Sequence, residues 1–248
     1  METLLKVDGL SKSFGGLRVV CELDLIIKQG ECSSIIGPNG AGKTTLFNLI
    51  TKYLSPDSGS IIFRGEDITR LPPWEISWRG IARSFQGINI FPRLTAYENV
   101  QVTLFSRYEQ SSNLFSRAKN LFKKETFEIL DIVGLSNQAE LESRELSAGN
   151  QKRLELAIAL AAGPELLLLD EPTAGVAPEE TLTIIHLIER LARQRGTAVV
   201  FIEHDMSVVF AVSEKVRVMH EGRIIAEGKP DSIRRNEQVQ RVYLGVAE

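Results

Sequence analysis

Short apolar runs alternate along the chain with longer stretches in which apolar residues recur at helical spacing. The first part contains strand-type runs separated by glycine-containing turns. We predict strands at residues 4–7, 19–27, 33–36 and 61–64. We interpret this part as an antiparallel layer that leads into a core strand.

Three runs, at residues 33–36, 166–169 and 198–202, consist almost entirely of apolar or small residues and do not alternate with polar ones. Because this pattern is typical of strands covered on both faces, we predict that they are neighbours in a parallel sheet. Residues 179–195 begin with acidic residues and continue with apolar ones at helical spacing, and Gly196 is placed as a stop. This order predicts a strand–helix–strand crossover.

The middle of the chain, residues 94–162, has few strand signals and many helical ones, above all at 122–133 and 153–162. We therefore predict an α/β fold with a mostly parallel sheet, an N-terminal antiparallel β layer and an inserted helical subdomain. The segment 106–125 is rich in Lys and Arg. It predicts either a solvated helix face or a surface for anionic headgroups.

The composition is that of a globular protein, because 43% of the 248 residues are apolar and 25% are charged. The formal net charge of −3 argues against a general nucleic-acid binder, which needs a cationic surface. The best candidate for a membrane span, residues 156–169, is interrupted by a glycine, a proline and a glutamate, so we expect none. We also expect no signal peptide, and we expect Cys21 and Cys32 to be inert thiols.

Residues 37–44 match the pattern G-x-x-x-x-G-K-[ST] between a predicted strand and a predicted helix at 45–51. Glycines let successive N–H groups point at phosphate oxygens, and the helix adds its positive N-terminal end. We expect Lys43 to reach the β- and γ-phosphates of a nucleotide and the Thr44 hydroxyl to bind Mg²⁺. A glycine turn with an exposed lysine is the alternative. The predicted nucleotide contacts of this loop are Gly37, Pro38, Asn39, Gly40, Ala41, Gly42, Lys43, Thr44 and Thr45.

A second element of a nucleotide site follows the run 166–169, where Asp170 and Glu171 come directly after a predicted buried strand. Ligands of open α/β sheets bind at the C-terminal ends of the strands, where these carboxylates are expected. We expect Asp170 to hold Mg²⁺ and Glu171 to polarise an attacking water. Two solvated acids at the end of a strand are the alternative.

Between these two elements lies Leu146-Ser147-Ala148-Gly149-Asn150-Gln151, which resembles the signature motif of ABC-transporter ATPases. The resemblance extends over essentially the whole chain and implies a single ABC ATPase domain, residues 1–248, with a P-loop NTPase core. It implies a nucleotide-binding core at 1–93 and 163–248 and a helical subdomain at 94–162 that carries the signature. It also implies ATP and Mg²⁺ as ligands and ATP hydrolysis as the activity.

The resemblance implies roles for three further side chains. Phe14 stands where the family has an aromatic that stacks on adenine, Gln86 where it has the Q-loop glutamine, and His204 where it has the switch histidine. A packing phenylalanine, a surface glutamine and a structural histidine are the alternatives. The implied catalytic residues are Lys43, Gln86, Glu171 and His204, and the implied metal-binding residues are Thr44, Gln86 and Asp170.

In this family the signature of one subunit completes the ATP site of another, which implies a head-to-tail dimer. Ser147 and Gly149, which are expected to contact the γ-phosphate, are present, whereas Ala148 and Asn150 replace the usual glycine and glutamine. The D-loop position, residues 174–178, lacks the usual Asp or Asn that helps to connect the two sites.

Within the family, five stretches look like the branched-chain amino acid importer ATPases: residues 14–17, 81–86, the basic insert after Asn99, 202–206 and 242–245. The resemblance implies import of a branched-chain amino acid or a similar small polar solute. Urea importers and lipopolysaccharide-export ATPases are near relatives and stay as alternatives. The implied location is the cytoplasmic face of the inner or plasma membrane, peripheral through permease subunits.

The implied partners are a second ABC ATPase subunit, identical or different, the transmembrane permease subunits and, indirectly, a solute-binding protein, with no nucleic acid. A permease helix is expected to dock near residues 86–95, and the residues that line this groove or pack the helical insert are Ile88, Ile90, Phe91, Leu94 and Tyr97. A soluble ABC ATPase that acts on DNA, ribosomes or Fe–S assembly is the competing class. Such proteins usually carry two cassettes or a long coiled coil, and neither is visible in the sequence.

Overall fold

The computed structural model describes residues 2–84, 89–108 and 121–244. Gln86 and Ile88, together with most of the segment 106–125, lie outside the described residues. The strands are β1 Thr3–Phe14, β2 Leu17–Lys28, β3 Cys32–Ile36, β4 Ser58–Phe63, β5 Glu66–Asp67, β6 Ile81–Arg83, β7 Leu166–Asp170, β8 Ala198–Ile202, β9 Lys215–His220 and β10 Arg223–Gly228. The helices are α1 Lys43–Ile50, α2 Pro73–Trp78, α3 Ala96–Arg107, α4 Lys123–Ile132, α5 Ala148–Ala161, α6 Pro178–Arg195, α7 Met206–Val212, α8 Pro230–Arg234 and α9 Glu237–Leu244.

Two sheets organise the strands. The first is antiparallel with the order β2-β1-β4-β5, and the second has the order β10-β9-β3-β8-β7-β6. In the second sheet β6, β7, β8, β3 and β9 run parallel, and β10 joins antiparallel at the edge. The predicted α/β fold, with its antiparallel N-terminal layer and mostly parallel sheet, is therefore confirmed.

The three central strands β3, β8 and β7 are buried at every residue, and successive side chains contribute to two different hydrophobic cores. Leu167 and Leu169 of β7 pack into the core that includes the helices of the middle segment. Leu166 and Leu168 pack into the core that holds α1 and the antiparallel sheet. Runs of apolar or small residues are needed here because both faces of the sheet are covered.

Residues 96–161 contain no strand within their described part and form the helices α3, α4 and α5, which pack on one another. Helix α3 begins with a capping box between Thr95 and Glu98. Tyr97, one of the residues expected to line the docking groove or pack the insert, is only 7% exposed, and its ring lies 5.5 Å from that of Phe127. Tyr97 therefore packs the helices, whereas Phe91 is 55% exposed.

Helix α6 has the acidic first turn and the C-terminal glycine from which it was predicted. Proline stands in its first turn with Glu179 and Glu180, and Gly196 ends it in the left-handed conformation with φ 66°. Among the described helices, none combines the length and the apolar content that a bilayer crossing requires.

One fully buried arginine joins the two sheets. The Arg217 guanidinium on β9 donates to Glu31 Oε1 and Ser33 Oγ, both at 2.8 Å, and to the carbonyl oxygen of Ile26 on β2 at 2.6 Å. Its Nε donates to Glu227 Oε2 on β10 at 2.8 Å. These bonds compensate the buried charge, and they hold β2, β3, β9 and β10 in one arrangement.

We expect Arg217→Met to lower the free energy of unfolding by about 3–5 kcal/mol, because Glu31 then stays buried without a compensating charge. Urea denaturation measures the effect. Arg223→Met is the control, because the ion pair of Arg223 among the described residues is an exposed one, with Glu22 at 3.7 Å. Its loss is expected to cost less than about 1 kcal/mol. Equal losses in the two variants would contradict a structural role for the buried network.

Candidate functional site

The loop that matches the phosphate-binding pattern connects β3 to α1. Gly42 caps the helix with φ 98°, and Lys43 is its first residue. The Lys43 ammonium donates to the carbonyl oxygens of Gly37 at 2.7 Å and Pro38 at 3.0 Å, so its side chain folds back over the loop. The Thr44 side chain at the helix start is exposed. The loop thus holds a cation and a hydroxyl at a positive helix end, which suits a phosphate ligand.

Burial lowers the pKa of Lys43, while the nearby charges of Glu171 and Asp170 act in the opposite direction. Removing the ammonium from water disfavours its charged form. An additional anion in the loop would favour the charged form again. The electrostatics of the loop therefore favour a negatively charged ligand.

Packing holds the loop against the strands beside it. A Cβ atom at Gly42 would lie 2.4 Å from the carbonyl oxygen of Val19 on β2, and one at Gly37 would lie 2.0 Å from the carbonyl oxygen of Met219 on β9. At Gly40 the same atom would meet nothing within 4 Å. The two glycines are therefore required by the close approach of the neighbouring backbone.

Asp170, Glu171 and His204 meet at one edge of the sheet, because β7 and β8 are parallel neighbours with Asp170 opposite Ile202. Nε2 of His204 lies 3.2 Å from Oε1 of Glu171. Glu171 has φ 51°, a conformation that a non-glycine residue adopts only at a cost. The structure thus brings together the carboxylate and the imidazole that were expected to handle water, and their catalytic roles stay a prediction.

A buried carboxylate supports this arrangement. Glu203 Oε1 accepts hydrogen bonds from the Thr173 backbone N–H at 2.9 Å and the Thr173 hydroxyl at 2.6 Å. The Glu171 N–H donates to the Ile202 carbonyl at 2.9 Å. Together these bonds tie the turn after β7 to the end of β8, which offsets the strain at Glu171.

Asp170 has two oxygens in different surroundings. Oδ2 accepts from Nη2 of Arg83 at 2.9 Å, whereas Oδ1 is buried and has no hydrogen-bond partner among the described residues. A buried oxygen of this kind fits a Mg²⁺ ligand. The described residues contain no cluster of three or more His, Cys, Asp or Glu side chains arranged for a metal. Mg²⁺ does not need such a cluster when nucleotide phosphates supply the other ligands.

Phe14 ends β1 at the hairpin with β2 and is 45% exposed. Its ring lies 5.7 Å from the ammonium of Lys12. The hairpin end is close to the phosphate loop, since Val19, two residues beyond the Phe14–Leu17 pair, packs against Gly42. An exposed ring at this position suits a purine, and stacking on adenine stays a prediction.

The signature residues lie at the start of α5. Ser147 caps the helix by accepting from the Asn150 N–H at 3.2 Å, and its hydroxyl lies 3.3 Å from Oε1 of Glu180. The Glu180 carboxylate lies so close to Gly149 that a Cβ atom there would be 2.3 Å from Oε2. In this conformation a carboxylate of the same chain occupies the place where the signature is predicted to meet a phosphate.

Three contacting residues of the site were missed in the sequence: Arg83, Glu203 and Glu180. Each acts through a contact with a residue that is distant in sequence, and a periodic pattern does not predict such contacts. Arg83 and Asp170, for example, are 87 residues apart. Gln86, expected in both the catalytic and the metal-binding set, lies outside the described residues. In the D-loop position Gly175 has φ 74°, and Ala174 and Ala177 are exposed.

Residues 20–174 match the family model described as ABC transporter. A solved ATP-binding cassette in a dimeric post-hydrolysis state bound to ADP and Pi has a TM-score of 0.80 and 29% identity, over 92% of this chain and 99% of that chain. The chain therefore belongs to the family of ABC transporter ATP-binding cassettes.

Two curated relatives are similar to this chain over almost their whole length. The high-affinity branched-chain amino acid transport ATP-binding protein LivG of Escherichia coli is 38% identical over 99% of each chain. The lipopolysaccharide export system ATP-binding protein LptB of Haemophilus influenzae is 36% identical over 98% of each chain. Residues 223–248 also match the family model described as Branched-chain amino acid ATP-binding cassette transporter.

We expect Gly42→Ala to destabilise the chain more than Gly40→Ala and to weaken ATP binding more. Both glycines have positive φ, 98° and 81°, which costs alanine about 1–2 kcal/mol at either position. Only Gly42→Ala adds a collision with the Val19 carbonyl. Thermal unfolding and ATP titration measure the two effects, and equal behaviour of the variants would show that packing against Val19 does not shape the loop.

Proposed function

We propose that the chain is the ATP-binding and ATP-hydrolysing subunit of an ABC transporter that imports branched-chain amino acids or a similar small polar solute. The observation that carries the proposal is the meeting of the phosphate loop, Asp170 and the Glu171–His204 pair at one edge of the parallel sheet. This edge is where open α/β sheets bind ligands.

In the proposed reaction, water forms a bond to the γ-phosphorus of ATP as the bond to the bridging oxygen breaks, giving ADP and phosphate. Lys43 exchanges the Gly37 and Pro38 carbonyls for phosphate oxygens. Glu171 accepts a proton from the water, and His204 orients it. Thr44 and Asp170, with Gln86, would hold Mg²⁺, which neutralises phosphate charge when bound.

The completed site requires a second cassette in this proposal. Ser147 and Gly149 stand at the start of α5, away from their own phosphate loop in sequence, and the solved relative bound to ADP and Pi is dimeric. An arriving γ-phosphate would displace the Glu180 carboxylate from the signature of the opposite subunit. The partner is either a second copy or a different ATPase whose D-loop carries the usual Asp or Asn.

The solute class rests on the C-terminal part of the chain. LivG and LptB differ little in their identity to this chain, 38% and 36%, so overall similarity separates the importer from the exporter poorly. The match of residues 223–248 to a branched-chain amino acid transporter model favours the importer. Lipopolysaccharide export is the second candidate, supported by LptB.

Docking of the permease was expected near residues 86–95, of which 86–88 lie outside the described residues. We propose instead that the permease subunits dock in a cleft between α2 and α3, which we call the α2–α3 cleft. It comprises two cavities of about 590 and 330 Å³ whose walls include Trp78 and Trp74, respectively, with Thr103 in both. Both tryptophans are 60% exposed. Large exposed aromatic side chains beside a cleft are typical of protein–protein contacts, and a short cytoplasmic permease helix fits there. The chain would then be held peripherally at the membrane.

We expect Glu171→Gln to reduce ATP hydrolysis by about a hundredfold or more, because the base for the attacking water is lost. ATP affinity should change little, since the phosphate loop is intact. Glu179→Gln removes an exposed carboxylate eight residues further along the chain and is the control with unchanged hydrolysis. Turnover by phosphate release and affinity by calorimetry measure the two quantities, and a Glu171→Gln chain that hydrolyses normally would refute the assigned base.

Transport is tested by uptake of radiolabelled leucine in cells from which the gene for this chain is deleted. We expect the wild-type chain and Ile26→Ala to restore uptake and Trp74→Ala to restore much less of it, with normal basal ATP hydrolysis in all three purified chains. Ile26 is the matched control because it is an exposed apolar residue, 46% accessible, on β2. Normal leucine uptake without the chain, accompanied by defective lipopolysaccharide export, would favour the second candidate.

A further inference from the structure

Arg83 is a buried charged residue to which the proposed reaction assigns no part. It ends β6, the edge strand of the mostly parallel sheet, and its side chain is only 4% exposed. Its guanidinium donates to Asn48 Oδ1 at 2.6 Å and to Asp170 Oδ2 at 2.9 Å, and it lies 5.7 Å from the ring centre of Phe47. One side chain thus contacts both the helix after the phosphate loop and the carboxylate at the end of β7.

The planar guanidinium suits this position because its nitrogens point in fixed directions. One terminal nitrogen donates to the Asn48 amide oxygen and the other donates to Asp170, while the central carbon Cζ lies over the ring of Phe47. A lysine ammonium would carry the same charge, but as a compact group without the fork. The arrangement therefore fixes the distance between α1 and Asp170.

Only one oxygen of Asp170 is engaged by Arg83. Oδ1 is buried without a hydrogen-bond partner among the described residues, although such groups are normally satisfied. Because Arg83 holds Oδ2, the carboxylate cannot turn to exchange its oxygens without breaking a buried ion pair. The orientation of Oδ1 is thus set before any cation arrives.

We propose that Arg83 is a positioning residue that presents Oδ1 of Asp170 to the Mg²⁺ that accompanies ATP. The proposal rests on the proposed function and adds a residue to its site. Partners that orient a metal ligand from behind tune metal affinity, and their loss typically costs about 10–100-fold.

The test compares binding of AMP-PNP, a non-hydrolysable ATP analogue, in Mg²⁺ and in EDTA by calorimetry. The measured quantity is the ratio of the Kd in EDTA to the Kd in Mg²⁺. We expect Arg83→Met to reduce this ratio about tenfold or more while the Kd in EDTA stays within about twofold of wild type. Arg79→Met is the matched control. Within the described part of the chain, the ion pairs of Arg79 are with Glu66 and Glu75, so this substitution should leave the ratio unchanged.

A double variant separates positioning from folding. Asp170→Asn should reduce the ratio by itself, and adding Arg83→Met to it should cause no further loss, because both changes act through the same carboxylate. If Arg83→Met does not fold, Arg83→Lys supplies the measurement, and it is expected to lower the ratio several-fold because the Asn48 and Asp170 contacts cannot both be kept.

Two outcomes would overturn the role of Arg83. The first is an unchanged ratio in the Arg83 variant that folds, which includes an equal loss of affinity with and without Mg²⁺. The second is additive losses in the double variant. Failure of the proposed function looks different. In that case the wild-type chain itself would bind no AMP-PNP, and the metal role of Arg83 would fail with it.

Discussion

The structure depends on the parallel pairing of β3, β8 and β7 in a sheet that is covered on both faces. This pairing directs all three C-terminal ends to one edge, so the phosphate loop, the Asp170–Glu171 pair and His204 meet although they are far apart in sequence. The cost is that each strand must carry apolar or small residues at successive positions, since each face is covered by a different core. The parallel pairing therefore explains both the composition of these strands and the place where the site residues meet.

Much of the fold could be predicted because its signals are local. The central strands, helix α6 and its glycine end, and the phosphate loop all carry their pattern within a few residues. Arg217 and Arg83 could not be assigned in this way, because a buried arginine is specified by acceptors such as Glu31 and Asp170, 186 and 87 residues away. Tyr97 shows the same limit, since an apolar side chain at helical spacing can face a core or a groove until the neighbouring helices are placed.

The site combines strained and well-supported groups. Glu171 holds a costly backbone conformation, and Oδ1 of Asp170 is buried without a hydrogen-bond partner in the described chain. Around them Glu203 secures the Thr173 turn and Arg83 secures Asp170. These surrounding hydrogen bonds hold the reacting groups in place, because they offset the stability that is lost at Glu171 and Asp170.

The packing of the phosphate loop changes how its sequence motif should be read in other proteins. Gly37 and Gly42 are needed because the backbone of β9 and β2 approaches them, a packing reason that is separate from phosphate binding. A relative that had lost ATP binding would still be expected to keep both glycines, since a side chain at either position would displace a strand. The glycine spacing is therefore a marker of ancestry in this fold, and replacement of Lys43 or Thr44 is the change that would mark a lost activity.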